Sequence, residues 1–524
     1  MLGLILYRIV LLLCRGVGIV MLRVRNLGPI KEGSIELKPL TVFIGPNNTG
    51  KTYLAYLVMG LVDDLKFKSK LLNLLLNNFR NNFNEISRYL KLDNKDLENF
   101  LKKGIVHKRI NIKDFILNNA ELLGSLFEEI SHEINTSANK FLKRYWRFLG
   151  SDIILSEDSK VSIYFSFEVD KLLESIYTSE IDTGLIGFGF STVHKQINSY
   201  ILDLKLDLQL LSDVDIPEYK EILNIFLNYT ILHILLSFAL FPFLGDVAVF
   251  PAQRNTLMID FIKSAINIAS REELEGFIFD DSENINKKKI TVYKLEKLVK
   301  SKPILNFLEL VDLFVPSKSE RSKFYEIGKK LENILGGNVT VTEDGEIRFR
   351  LNDEKSLKLT VSSSMVQQLS PLALYLKHLA KPNDLVIIDE PESNLHPEAQ
   401  KRMVEVIAEM VNRGLCVIIT THSPFIIDYL NTLMKAYSVS NMSSDAKNKV
   451  LKVIKDENVL IDPDKVGVYL FKGEGIIENA KNEDIIDLNS FRKIIDEIGA
   501  TFTELLIIED DCKDESCEEH EAAD

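Results

Sequence analysis

Apolar and polar positions fall into regular patterns in two separate parts of the chain. In the first, "LRVRN" (22–26) and "SIELK" (34–38) alternate, the period of half-buried strands, and "LTVFIG" (40–45) is an unbroken apolar run closed by glycine. "TYLAYLVMGLVDDL" (52–65) then has helical spacing. In the second part, "DVAVFPAQR" (246–254) reads as a buried strand ending in a polar turn, and "DLVIIDE" (384–390) and "LCVIITTHS" (415–423) as two more buried strands. Between these last two, "PEAQKRMVEVIAEMVNRG" (397–414) predicts a helix closed by Gly414. "NVTVTEDGEIRFRLNDEKSLKLTVS" (338–362) predicts three strands with tight turns at Asp344-Gly345 and Asn352-Asp353. "MVQQLSPLALYLKHLA" (365–380) reads as a helix that Pro371 should kink or shorten.

Strands alternating with helices predict an α/β domain assembled from distant pieces. The pieces are residues 21–61, 246–254 and 336–436. Residues 62–245, rich in Leu, Asn and Lys, read as a mainly helical insertion, with "KVSIYFSFEVD" (160–170) a strand inside it. No heptad is sustained over several turns, which argues against a coiled-coil arm. Residues 255–335 read as a second helical insertion, 437–508 as an α/β extension, and 509–524 as an acidic, disordered tail.

The first 20 residues are apolar but broken by Arg8 and Arg15, short of the roughly 20 apolar residues of a bilayer span. They read as a start-site extension ahead of Met21, so no stable membrane insertion is expected. A signal peptide or membrane anchor is the competing reading.

Composition adds limits. Hydrophobic residues make up 46% and charged residues 27%, a soluble balance. The net charge of −13 excludes a global attraction to nucleic acid. Four cysteines without a Cys-x-x-Cys pair fit a reducing, cytoplasmic setting. Cys512, Cys517 and His520 read as incidental to the tail.

Three motifs carry chemistry. "GPNNTGKT" comprises Gly45, Pro46, Asn47, Asn48, Thr49, Gly50, Lys51 and Thr52, between a strand and a helix. Its glycines let backbone N–H groups turn toward phosphates at a helix N-terminus. Lys51 suits the β- and γ-phosphates, and the Thr52 hydroxyl suits Mg²⁺. In "LVIIDEPESNLHP" Asp389 emerges from a buried strand where it can hold Mg²⁺, and Glu390 follows where it can polarise an attacking water. In "ITTHS" His422 ends another buried strand, within reach of a γ-phosphate. Read singly, the acidic pair is also a strand end with a helix cap, and the histidine a structural one.

In this order the motifs resemble the ABC-type P-loop ATPases, and more closely the branch near SMC, RecF and the OLD-type defence ATPases. "GPNNTGKT", "IIDEPESNLHPEAQ" and "THSPFIIDYL" carry the resemblance. It implies a P-loop NTPase head with a mixed β-sheet, an antiparallel β lobe and large helical insertions. It also implies ATP and Mg²⁺ as cofactors, and a homodimer or higher oligomer in which each ATP lies between one subunit's phosphate loop and the other's signature helix. By the same resemblance Ser362, Ser363, Ser364 and Gln367 are the trans signature, with Ser364 where glycine is usual and placed to cap the helix. Ser393 to Pro397 are the segment crossing the dimer, with Ser393 and Asn394 its site residues. Gln253 matches the family's glutamine loop loosely, with Arg254 an equal candidate and a plain strand-end turn as a third.

A Toprim nuclease, which OLD-type enzymes add, needs a glutamate and a later aspartate pair. "VYLFKGEGIIENAKNEDIIDL" supplies no convincing Asp-x-Asp, so no nuclease is expected in this chain. The expected activity is ATP hydrolysis driving a dimer switch, in DNA repair or anti-phage defence, with a separate effector protein and with DNA as a candidate partner. A nucleotide-gated binding module with negligible turnover and a transporter subunit are the competing functions.

Overall fold

The computed structural model describes residues 19–63, 105–111, 155–166, 182–183, 191–195, 201–207, 246–254, 302–314, 321–342, 346–351, 355–482, 485–486 and 497–509, with a few single positions between. Its first strands are β1 (Ile19–Leu27), β2 (Ile30–Leu37) and β3 (Leu40–Ile44), followed by helix α1 (Lys51–Asp63). Next come β4 (Ile105–Asn111), β5 (Leu155–Ser166), β6 (Asp182–Thr183), β7 (Ser191–Lys195), β8 (Ile201–Asp207) and β9 (Val247–Phe250). Helices α2 (Lys302–Asp312) and α3 (Tyr325–Leu335) lead to β10 (Asn338–Val341), β11 (Ile347–Leu351) and β12 (Lys355–Lys358). Then follow α4 (Ser364–His378), β13 (Leu385–Asp389), α5 (Pro397–Asn412), β14 (Cys416–Thr421), α6 (Pro424–Ser440) and α7 (Ser444–Ile454). The remaining strands are β15 (Val466–Phe471), β16 (Ile477–Asn479), β17 (Lys481–Asn482) and β18 (Ile485–Ile486).

A six-stranded sheet in the order β16-β15-β3-β14-β13-β9 forms the centre. The five strands from β15 to β9 are parallel, and β16 adds an antiparallel edge. β3, β13 and β14 are buried at every position, as the unbroken apolar runs require when helices cover both faces. Register aligns their C-terminal ends: Asp389 lies beside Thr420, and Thr421 beside Ile44. The three motifs therefore leave the sheet at one edge.

A second, antiparallel sheet has the order β2-β1-β5. The strand expected within the first insertion is thus a partner of β1, with Val24 opposite Val161. β1 begins at Ile19, two residues ahead of Met21. β4, β8, β7 and β6 form a four-stranded antiparallel sheet inside residues 62–245, which the mainly helical expectation did not include. The helices expected there lie almost wholly outside the described residues, as do residues 1–18, the turns at 344–345 and 352–353, and the tail beyond 509.

Three expectations are corrected. Pro371 sits inside an unbroken α4. Proline costs a helix interior about 3 kcal/mol, but α4 buries Val366, Leu369, Leu372, Ala373 and Leu376 in the core, each large side chain contributing about 1.5–3 kcal/mol. Packing outweighs propensity. The central sheet also extends past the boundary expected at 436. β15 belongs to the central sheet, beside β3, and the Tyr469 hydroxyl exchanges hydrogen bonds with the Glu36 backbone (2.7 and 2.9 Å). Finally, α3 packs on α4 and α5 and places Ile327 and Leu331 in the same core, so the end of the second insertion is part of the domain.

Candidate nucleotide site at the strand ends

The loop between β3 and α1 has backbone that only certain residues accept. Gly45 has φ 138°, and a Cβ there would lie 2.3 Å from the Phe471 carbonyl oxygen. Gly50 has φ 96°, and a Cβ there would meet Ile30 Cγ1 at 2.7 Å. Asn48 takes φ 62°, a region asparagine tolerates. Pro46, Asn47 and Asn48 form the exposed crest, while Thr49, Gly50 and Lys51 are buried. The Thr49 hydroxyl donates to the Pro46 carbonyl (2.9 Å). Lys51 is only 5% exposed, and its Nζ donates to the carbonyls of Gly45 (2.9 Å) and Pro46 (2.6 Å). Burial lowers its pKa to about 8, against the pull of Asp389, Glu390 and Glu392.

Asp389 ends β13, buried. Its Oδ1 accepts from the Thr52 hydroxyl (3.0 Å) and from the Thr420 hydroxyl, and its Oδ2 from the Tyr56 hydroxyl (3.4 Å). Burial raises its pKa, and the bonds from Thr420 and Thr52 oppose that. Glu390 stands next, half-buried, at φ 50°. Its N–H donates to the Thr420 carbonyl (3.0 Å), the Ser393 hydroxyl donates to its Oε2 (2.8 Å), and His422 Nε2 lies 3.8 Å from its Oε1. Glu392 Oε1 accepts from the Thr421 hydroxyl and the His422 N–H, both at 2.7 Å, while its Oε2 is buried without a hydrogen-bond partner.

The turn after β9 separates its two candidates. Gln253 is exposed. Arg254 is 1% exposed and surrounded by carbonyls. Its Nη1 donates to Asp389 O (2.9 Å) and Pro251 O (3.0 Å), its Nε to Gln368 O in α4 (3.0 Å), and its Nη2 lies 3.5 Å from Glu390 O. The Gln368 amide, turned with its oxygen toward the guanidinium, accepts from Nη2 (3.0 Å) and Nη1 (3.2 Å). Burial lowers the Arg254 pKa to about 10, which leaves it charged at neutral pH.

Residues 18–427 match the AAA ATPase domain family. The chain belongs to that family. Among solved structures it is similar to an Smc head domain with an extended coiled coil, bound to the C-terminal domain of ScpA, from Pyrococcus furiosus. That match has 12% identity, covers 92% of this chain and 99% of the other, and has a TM-score of 0.30. An Smc head bound to the C-winged helix domain of ScpA matches with 11% identity, coverage of 88% and 97%, and a TM-score of 0.31. The SMC head domain from Thermotoga maritima matches with 10% identity, coverage of 88% and 98%, and a TM-score of 0.28. No curated protein matches the chain.

Within this ATPase domain the Ser-Ser-Ser segment lies at the N-terminus of α4. Ser363, not Ser364, is the cap: its hydroxyl accepts from the Val366 N–H (3.4 Å). Ser364 is the first helical residue, exposed, and its φ is not positive, so the backbone does not demand glycine there. The Gln367 amide donates to the carbonyls of Ser362 (3.0 Å) and Thr360 (3.3 Å). None of these bonds reaches the loop 45–52. Ser393 is tied to Glu390, and Asn394 is exposed at φ 62°.

Tyr56, Thr420, Glu392 and Gln368 escaped the sequence reading. Tyr56 was within reach of it, since it follows Thr52 by four residues on one helical face. Thr420 required knowing that β14 lies beside β13.

Proposed function

We propose that this ATPase domain binds ATP on the loop 45–52 and hydrolyses it with Glu390 as the water-polarising base, in a site completed by a second copy of the chain. The observation that carries this is the joined triad Thr52–Asp389–Glu390: the phosphate loop and the acidic strand end are already bonded at 3.0 Å. A hydroxyl and a carboxylate at that distance are a fitting oxygen set for Mg²⁺, held by Thr52 and Asp389. Bound there, Mg²⁺ supplies charge neutralisation between the phosphates.

The other steps belong to the chain. Lys51 exchanges its loop carbonyls for phosphate oxygens, and the backbone N–H groups of 48–52 face the anion at the start of α1. Glu390 accepts a proton from the attacking water, and Ser393 fixes its carboxylate. His422, with its backbone held by Glu392, contacts the γ-phosphate in this reading. The α4 N-terminus offers Ser363, Ser364 and its N–H groups to the nucleotide of the partner copy, and Ser393 and Asn394 sit at the crossing between copies. Binding energy closes the dimer and hydrolysis reopens it.

The test is steady-state ATP hydrolysis by wild type and Glu390→Gln with Mg²⁺, with and without duplex DNA. Mg²⁺-dependent turnover lost in the variant supports the assignment. Full turnover in the variant overturns it. Stimulation by DNA assigns the cycle to DNA repair or DNA-sensing defence. Its absence points to a separate protein effector as the partner that reads the nucleotide state.

A further inference from the structure

Glu390 occupies a costly conformation. At φ 50° a non-glycine residue is strained, and such strain persists only where the surroundings enforce it. The Glu390 N–H is held by β14 through the Thr420 carbonyl. On the carbonyl side stands Arg254, whose guanidinium bonds the Asp389 carbonyl and lies against that of Glu390. Nε grips the main-chain carbonyl of Gln368, and Nη1 and Nη2 also donate to its amide oxygen, one turn from the exposed N-terminus of α4. A fully buried guanidinium is expensive unless each donor is used. Here each donating nitrogen meets an acceptor on one of three segments: the β9 turn, the end of β13, and α4.

We infer that Arg254 is a positioning residue that joins the catalytic strand end to the signature helix, so that docking of α4 on a partner's nucleotide sets the backbone presenting Glu390 within the same chain. It touches neither nucleotide nor water. Its fork holds the peptide on which Glu390 turns, and its Nε transmits the position of α4. In a two-site dimer each chain's α4 serves one nucleotide while its Glu390 serves the other. The guanidinium is therefore a mechanical link between the two sites, a form of coupling that needs two arrangements of one packed element. This rests on the dimeric reading of the site above.

Arg254→Lys keeps the charge and loses the fork. In the full chain with Mg²⁺ and ATP, Arg254→Lys should retain ATP affinity close to wild type, since Lys51 and the loop are untouched, while its melting temperature falls because buried carbonyls lose their donors. Its kcat should fall about 100-fold, the scale of a misplacement of about 1 Å. Gln368→Met, which removes only the amide acceptor, should show a smaller fall of the same kind and keeps the test open if Arg254→Lys does not fold. Mixed dimers carrying one Arg254→Lys subunit should run below half the wild-type rate, because one broken link disturbs both sites. Wild-type kcat in Arg254→Lys or, where that variant does not fold, in Gln368→Met overturns the inference, as does a mixed dimer at half rate. Inactive wild type instead overturns the ATPase reading itself, so the two failures are distinct.

Discussion

In the proposed site the phosphate-loop edge of the sheet and the N-terminus of α4 each meet an anion, yet the two differ in completeness. At the first, Lys51 is buried, Asp389 has three hydroxyl partners, and Glu390 is fixed through its main chain and Ser393. At the second, Ser363 and Ser364 are exposed, and the polar bonds turn inward through Gln367. In the proposed reading one half-site is assembled within the chain and the other is offered outward. The contrast teaches that burial is invested where chemistry needs fixed geometry, and exposure is kept where a surface must be met.

The largest effect should come from the assembled half. Glu390→Gln should lower turnover by about 10²–10⁴-fold with ATP binding intact, read as kcat beside a direct binding isotherm. Equal losses in both quantities would mean that Glu390 shapes the pocket instead. Lys51→Ala removes a charged bond worth about 1.5–3 kcal/mol, so the Kd for ATP should rise about 10- to 100-fold by calorimetry. An unchanged Kd would place the phosphates elsewhere.

The Lys51 pKa of about 8 gives a pH test with a definite sign. Phosphates favour the charged amine, so affinity is full below about pH 8 and falls as pH rises through it, by at most about tenfold per unit. Folding runs the other way. A lysine depressed from 10.5 to about 8 makes the unfolded chain bind more protons between those values, so its burial cost is present below pH 8 and relieved above it. Lys51→Arg should flatten the binding profile. A profile unchanged by that substitution would assign the titration to another group.

The smallest effect concerns the offered half. Ser363→Ala removes the cap of α4 and should lower stability by about 1 kcal/mol, seen as an earlier unfolding midpoint. Ser364→Gly leaves that cap untouched and should cost less. The reverse order would restore Ser364 as the capping residue.

The fold and the site were legible to different depths. Unbroken apolar runs marked β3, β13 and β14, because strands buried on both faces tolerate little else. The motif ends followed from those strands. What the sequence did not carry was pairing across long separations. Nothing in "VGVYLF" states that it lies beside β3, some 420 residues earlier in the chain, or that its Phe471 carbonyl is what Gly45 must clear. The same holds for β5 beside β1. Arg254 was visible as a candidate, but apart from the Gln368 amide its partners are main-chain carbonyls, which leave no trace in side-chain identity. Pro371 shows local propensity overruled by the core.

The central claim is that the exposed end of α4 is completed by a second copy around ATP. Sedimentation of Glu390→Gln, which should hold ATP without consuming it, tests this most directly. With Mg²⁺ and ATP the mass should double relative to the nucleotide-free protein, and Ser364→Arg should abolish the doubling. A mass unchanged by ATP, or a doubling indifferent to Ser364→Arg, would contradict the account.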